Sequence, residues 1–336
     1  MAGNAQARRE VQGSSLEARS LAKTYHLQAA PGRSGSYAVK AVRDVSLTLQ
    51  PGRTVALVGE SGCGKSTIAK MLAGLEPPSE GQIRLDGKDL AKPSARLAAW
   101  RQGRRIQMIF QDPYASLNPR WTVASILQEA FKASGTVARR DMSQAVLRAL
   151  SAVGLPDTAA GKFPHEFSGG QRQRISIARA LACEPQFLIC DEPTSALDVS
   201  VQAQILNVLK DIQAERGLAF LLITHDLSVV HHMADHVGVM YLGLLVEDRR
   251  AEDLFAAPSH PYTRMLLDTI PRADKPGRRP AMMSGEVPNP ISPPPGCPFN
   301  PRCSFAEDRC RTERPGPTPV AGGHVACHAI EERRLA

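Results

Sequence analysis

The chain lacks any apolar run of about 18 residues, the length a helix needs to cross a bilayer, so no membrane span is expected. Residues 1–15 are polar and lack the apolar core of a signal peptide, which points to a cytosolic chain. In that compartment the 7 cysteines are expected to be reduced, buried or metal-bound rather than paired as disulfides. Close C-x₂-C pairs of the zinc-ribbon kind are missing, and no internal repeat is evident. The net charge is +8, but the basic residues are scattered among acids and form no block. That describes a solvated surface better than a nucleic-acid footprint. The 336 residues, 43% of them hydrophobic, have room for one large domain with an appendage, or for two domains.

The most informative stretch is Gly59-Glu60-Ser61-Gly62-Cys63-Gly64-Lys65-Ser66-Thr67. It fits G-x-x-x-x-G-K-[ST], the phosphate-binding loop. The apolar run Val55-Ala56-Leu57-Val58 before it reads as a buried strand, and Ile68 to Leu75 follows with helical spacing. Glycines at such a turn let backbone N–H groups point inward at phosphate oxygens, at the start of a helix. Lys65 is then placed to reach the β- and γ-phosphates, and Ser66 to ligate Mg²⁺. A second signal is Phe187-Leu188-Ile189-Cys190-Asp191-Glu192. Here an apolar strand delivers two carboxylates to the edge of a sheet where ligands of α/β proteins bind. Asp191 suits Mg²⁺ and Glu192 suits a general base acting on water. Alone, an Asp-Glu pair after a strand is usually a solvated loop; beside a phosphate loop it reads as part of a nucleotide site.

Around these motifs the chain reads as strands over Leu16 to Leu49, broken by a Gly/Ser/Pro loop at Ala30 to Ser36. A turn follows at Pro51-Gly52, and a hairpin at Gly81 to Gly87. Ile106 to Phe110 is a short strand, and Thr122 to Leu155 has helical periodicity, with Val123, Ile126, Leu127, Ala130 and Phe131 on one face. Phe187 to Cys190 and Leu218 to Ile223 are further apolar strands, so a parallel α/β sheet is expected. Beyond Glu247 the composition changes. Pro271 to Pro301 is proline-rich, and Cys297, Cys303, Cys310 and Cys327 are the last four cysteines, which marks a linker and a small appended module.

Phe167-Ser168-Gly169-Gly170-Gln171, followed by a helix, resembles the Leu-Ser-Gly-Gly-Gln signature of ABC ATPases, with Phe in place of Leu. As a local feature Ser168 is also a good helix N-cap. Other elements follow in ABC order. Gln111 resembles the Q-loop glutamine, Ser195-Ala196-Leu197-Asp198 the D-loop, and His225 in Thr224-His225-Asp226 the switch histidine. Tyr25 resembles the aromatic that stacks on adenine, with core packing as the competing role. Phe110-Gln111-Asp112-Pro113-Tyr114-Ala115-Ser116-Leu117-Asn118-Pro119-Arg120, Pro258-Ser259-His260-Pro261-Tyr262-Thr263 and the cysteine tail resemble the ATPase subunits of oligopeptide, dipeptide and nickel importers.

The resemblance implies a P-loop ABC ATPase fold: a mixed or parallel sheet core, an antiparallel N-terminal β subdomain, a helical subdomain and a C-terminal cysteine module. The expected bounds are a disordered 1–15, an ATPase domain over 16–250 with its helical part at about 113–166, and the extension over 251–336. It implies ATP held by Tyr25, residues 59–67, Gln111, Asp191 and His225; Mg²⁺ held by Ser66, Gln111 and Asp191; and catalysis by Glu192, Gln111 and His225. Ser168 to Gln171 would act on ATP held by a second ATPase subunit, either a sibling or a second copy. Two transmembrane permease subunits and, indirectly, an extracytoplasmic binding protein complete the expected assembly, at the cytoplasmic face of the membrane and with no nucleic acid. Cys297, Cys303, Cys310 and Cys327 would hold a [4Fe–4S] cluster or, alternatively, Zn²⁺. Competing readings are a nickel or other small-solute importer of the same family, and an ABC ATPase outside transport. The latter usually carries tandem ATPases or long coiled coils, which are absent here.

Overall fold

The computed structural model describes residues 14–28, 36–90, 104–195, 197–269 and 285–335. The expected disorder over 1–15 lies outside them except for Ser14 and Ser15, which are held by Arg105 and by Asp86. The loop at 30–36, most of the proline-rich linker, and Ala196 also lie outside.

Two sheets carry the fold. β1 (Leu16–Gln28) and β2 (Ser36–Leu49) are long antiparallel strands, and β1 also pairs antiparallel with β4 (Glu80–Leu85). β4 turns back into the short β5 (Lys88–Asp89), completing the expected hairpin. β3 (Thr54–Val58) enters the second sheet. After it the glycine-rich loop leads into α1 (Lys65–Leu72), three residues earlier than the apolar spacing suggests, because the loop itself closes into the first turn.

The main sheet has the order β11-β12-β10-β9-β3-β8-β7-β6. With β3, its parallel strands are β9 (His236–Tyr241), β8 (Ala219–Ile223), β7 (Phe187–Asp191) and, at the edge, β6 (Ile106–Ile109). β3, β7 and β8 are buried along their whole length, which is why they read as unbroken apolar runs rather than alternating ones. Between β6 and β7 lies a helical stretch: α2 (Pro113–Ser116), α3 (Val123–Ser134), α4 (Met142–Ala152) and α5 (Gly169–Leu181). The helical pattern over 122–155 resolves into two helices because Gly135 takes a left-handed conformation at the end of α3. α6 (Val199–Arg216) and α7 (Leu227–Met233) link the later strands.

The C-terminal residues depart from the expected appended module. β10 (Leu244–Arg250) runs antiparallel to β9 and is followed by α8 (Ala251–Ala256) and α9 (Pro261–Asp268). α10 (Asp308–Thr312) precedes β11 (Thr318–Val320) and β12 (Gly323–Val325), and β12 pairs with β10. The tail thus extends the main sheet, and Cys297, Phe299 and Cys310 join its hydrophobic core. Composition alone sees only the proline-rich stretch; the strands that rejoin the sheet are too short to announce themselves. α11 (His328–Glu331) ends the described fold.

Two buried polar groups fix the start of α9. Glu247 is fully buried and accepts from the Ser259 and His260 backbone N–H groups and from Arg249. His260, also buried, caps α9 by accepting the Tyr262 N–H at Nδ1, 3.0 Å away. Burial pushes the His260 imidazole down from 6.5 to about 3. Its folded value is depressed, so its stabilisation is complete above pH 6.5 and is lost as pH falls towards 3. His260→Asn keeps a capping acceptor without the titration. Urea unfolding at pH 7, 6 and 5 is expected to show the native chain losing on the order of 1 kcal/mol more per pH unit than the variant as pH falls through 6.5. Parallel pH dependences would count against it.

Candidate functional site

The site forms at one edge of the main sheet, where the four parallel strands β6, β7, β8 and β3 end together. Ile109 pairs with Cys190, Cys190 with Leu222, and Leu222 with Ala56. Gln111, Glu192, His225 and Gly59 each follow within two or three residues of that rung.

The phosphate loop is packed tightly against carbonyl groups. Gly59 (φ 147) and Gly64 (φ 107) adopt positive φ, and a Cβ on either would collide with the carbonyl oxygen of Met240 or of Ala41. Lys65 is buried, and its Nζ donates to the Gly59 carbonyl at 2.7 Å and the Glu60 carbonyl at 2.9 Å, with Cys63 Sγ 3.5 Å away. Burial pushes the Cys63 thiol up, despite the neighbouring Lys65. Ser61 and Gly62 at the loop's tip are exposed, while Ser66 and Thr67 are half-buried.

The carboxylates stand beside this loop. Ser66 Oγ donates to Asp191 Oδ1 at 2.9 Å, which brings two hard oxygen donors together, the set Mg²⁺ prefers. Burial pushes the Asp191 carboxyl up; the Ser66 hydrogen bond lowers it, and Glu192 raises it further. Glu192 is held by both neighbours: Gln111 Nε2 donates to Oε2 at 3.0 Å, and His225 Nδ1 lies 3.2 Å from Oε1. Its backbone sits at φ 47, in the left-handed region that a non-glycine residue rarely adopts. Such strain at a carboxylate next to Asp191, which itself bonds the phosphate-loop Ser66, is a common mark of function.

Other sequence-selected residues lie elsewhere. Tyr25 is half-buried on β1, with Lys23 Nζ 5.1 Å above its ring. Ser168 caps α5: its Oγ accepts the Gln171 N–H at 3.4 Å, and the Gln171 side chain accepts the Ser168 N–H at 3.1 Å. Ser168, Gly169 and Gln171 are exposed, whereas Gly170 is buried against Val201, where a Cβ would not fit. No hydrogen bond among the described residues joins 168–171 to the phosphate loop. Ser195 donates to the Glu192 carbonyl, Leu197 packs beside Gly169, and Asp198 precedes α6.

The four late cysteines are free thiols that line one small cavity together with His260, Phe299, Phe305 and His328. Burial pushes Cys297 up to about 12 and raises Cys303 and Cys327 as well. Among the described residues no group of three or more His, Cys, Asp or Glu side chains is arranged to hold a metal ion. Sequence reasoning missed a further contact with the loop. Arg302 forms a buried ion pair with Glu60, and Tyr262 Oη accepts the Glu60 N–H at 2.8 Å. No periodicity or spacing signals a partnership across 242 positions.

Gly59→Ala is expected to abolish nucleotide binding, because φ 147 and the Met240 carbonyl leave no room for a methyl group unless the loop shifts. Equilibrium dialysis with labelled ATP reads this directly. Native affinity in the folded variant would refute the packing argument.

The ABC transporter family model matches residues 42–195, and the model of the oligopeptide/dipeptide transporter C-terminal region matches residues 246–310. The chain is 48% identical over 316 residues to "Probable peptide ABC transporter ATP-binding protein y4tS" of Sinorhizobium fredii, covering 93% of this chain and 89% of that one. It is 46% identical to "Oligopeptide transport ATP-binding protein AppF" of Bacillus subtilis, covering 93% and 96%. Among solved structures it resembles the ATP-binding cassette MJ0796, a dimer in a post-hydrolysis state bound to ADP and Pi. The TM-score is 0.60 at 26% identity, covering 70% of this chain and 98% of that one. It also resembles cbiO1 from Clostridium perfringens, part of the ABC transporter complex cbiONQ, with TM-score 0.60 at 28% identity, covering 72% and 90%. With relatives this similar over nearly the whole length, and with the phosphate loop, carboxylate pair and signature in family order, the chain belongs to the ABC transporter ATP-binding proteins.

Proposed function

We propose that this chain is the ATP-hydrolysing subunit of an importer of oligopeptides or dipeptides, peripheral at the cytoplasmic face of the membrane. The observation that carries the ATPase reading is the convergence of Gln111 and His225 on Glu192, beside the Ser66–Asp191 pair. The importer reading is supported by the C-terminal region model and by the relatives' peptide-transport names. No helix among the described residues is long and apolar enough to cross a membrane, so transport needs permease partners.

ATP would lie along residues 59–67, with Tyr25 against the adenine. Binding replaces the loop carbonyls around Lys65 with phosphate oxygens. Ser66, Asp191 and Gln111 would hold Mg²⁺, which when bound neutralises charge on the transferring phosphoryl group. Glu192 accepts the proton of the attacking water, and His225 contacts the γ-phosphate. Phosphoryl transfer asks mainly for positioning and charge neutralisation, and these groups supply both.

Ser168 to Gln171, with the D-loop Ser195 to Asp198, would complete the site of a partner ATPase. Support comes from the exposed N-terminus of α5, which has no hydrogen bond to its own phosphate loop. The partner is a sibling subunit or a second copy, and the pair works on two permease subunits fed by an extracytoplasmic binding protein. ATP stabilises the closed pair because only that state is bridged by it. In domain terms, 16–250 is the ATPase, 113–166 its helical subdomain facing the permeases, and 251–336 the family-specific extension. Glu192→Gln should retain ATP binding while hydrolysis falls by about 10²–10⁴, measured in the assembled transporter. Turnover at the native rate would remove Glu192 from the chemistry.

Cys297, Cys303, Cys310 and Cys327 would hold one [4Fe–4S] cluster, with Zn²⁺ as the alternative. Their shared cavity supports a common ligand. Anaerobic purification with iron, sulfide and zinc analysis is expected to give about four irons per chain. Zinc alone would replace the cluster with an ion, and neither metal would end the proposal.

A further inference from the structure

We propose that Arg302 and Tyr262 are positioning residues for ATP, which hold the phosphate loop in its binding shape through Glu60. The proposal rests on the reading of residues 59–67 as the nucleotide loop. Glu60 is gripped at three points. The Arg302 guanidinium takes its carboxylate as a fork, Nη1 to Oε2 at 2.8 Å and Nη2 to Oε1 at 3.0 Å. The Tyr262 hydroxyl accepts its backbone N–H at 2.8 Å, and its carbonyl accepts from Lys65 Nζ at 2.9 Å.

The groups that grip it are rigid. The Arg302 side chain is 2% exposed, and its guanidinium lies 5.8 Å from the Tyr241 ring centroid and 5.9 Å from that of Phe299. Tyr241 and Tyr262 meet edge to face at 4.7 Å, and Phe299 packs on both. The hydrogen bonds from Arg302 to the Glu60 carboxylate push the guanidinium above its ordinary value, which keeps it protonated.

Elsewhere the loop is held by the Gly243 N–H, which donates to the Cys63 carbonyl at 3.0 Å, and by the close approach of Gly59 to the Met240 carbonyl and of Gly64 to the Ala41 carbonyl. Among the described residues, the backbone hydrogen bonds of residue 60 are those above and Cys63 N–H to its carbonyl at 3.3 Å. The Tyr262 hydroxyl therefore holds the Gly59–Glu60 peptide plane, and with it the Gly59 carbonyl that accepts from Lys65 Nζ at 2.7 Å, from the C-terminal extension. A one-ångström error at such a point costs far more in ligand placement than in fold stability. The clamp also sits next to the thiol cavity: Arg302 precedes Cys303, and the cavity wall includes His260, Pro261 and Phe299. The extension thus acts on the nucleotide loop and not only on the sheet edge.

Three variants of the full-length chain test this. Arg302→Lys keeps the charge but loses the fork. Glu60→Gln keeps the shape but loses the charge, and Tyr262→Phe keeps the aromatic packing but removes the acceptor. Each is expected to raise the Kd for Mg-ATP about tenfold in equilibrium titration. In the assembled transporter, KM for ATP rises with kcat retained within about twofold. Arg302→Lys combined with Glu60→Gln should cost no more than either alone, since both act on one contact. Native Kd in all three variants, with or without a lowered melting temperature, overturns the clamp. Lys65→Ala separates this failure from that of the underlying reading: if it too binds ATP natively, the nucleotide loop itself is misassigned.

Discussion

One register governs the molecule. The ladder across β6, β7, β8 and β3 aligns Ile109, Cys190, Leu222 and Ala56, so four loops far apart in sequence leave the sheet at the same height. A one-residue slip in any pair would turn that strand's side chains to the opposite face and move its loop by about 3.3 Å. Slippage is opposed by burial of β3, β7 and β8 on both faces, where each Leu, Ile or Phe contributes about 1.5–3 kcal/mol. The apolar strands are thus the instrument that holds Asp191 beside Ser66 and Glu192 between Gln111 and His225.

Within that frame the phosphate loop is a polar structure satisfied by its own chain. Lys65 is buried, and its ammonium group donates to two carbonyls, which satisfy its hydrogen bonds without neutralising its charge. A phosphate ligand must offer better partners than those carbonyls, and a triphosphate's anionic oxygens do. Asp191 presents the opposite situation. Its carboxyl is raised by burial and by Glu192, against the lowering by the Ser66 hydrogen bond and by Lys70 and Lys65, an arrangement that a divalent cation would relieve.

The C-terminal extension changes how the chain divides. β12 continues the main sheet beyond β10, Glu247 ties the start of α9 to it, and Arg302 reaches the phosphate loop from the far end of the sequence. A tail short of apolar residues therefore gains stability by sharing the large core rather than by building its own. His260, Phe299, Tyr241 and Tyr262 form the joint, buried together between the thiol cavity and the nucleotide loop.

The sequence by itself determined the chemistry of this protein. The phosphate loop, the paired carboxylates after a strand, the serine-capped signature helix and the histidine after β8 are local patterns, because each must place its few atoms within one turn or one strand end. It also determined the apolar strands, since double-sided burial leaves an unbroken run of large side chains. Only the tertiary structure decided which of these meet. It brought Gln111 and His225 to opposite oxygens of one carboxylate, and gave Glu192 a left-handed backbone that no residue-type preference announces. It set Gly59 and Gly64 against carbonyls of β9 and β2, so that what reads as flexibility in the sequence is close packing in the fold. It also turned a proline-rich tail into a sheet extension, and joined Arg302 to Glu60. The physical reason is the same each time. Local propensity acts over a few residues, whereas a contact spanning 242 positions depends on the register of strands that neither residue occupies.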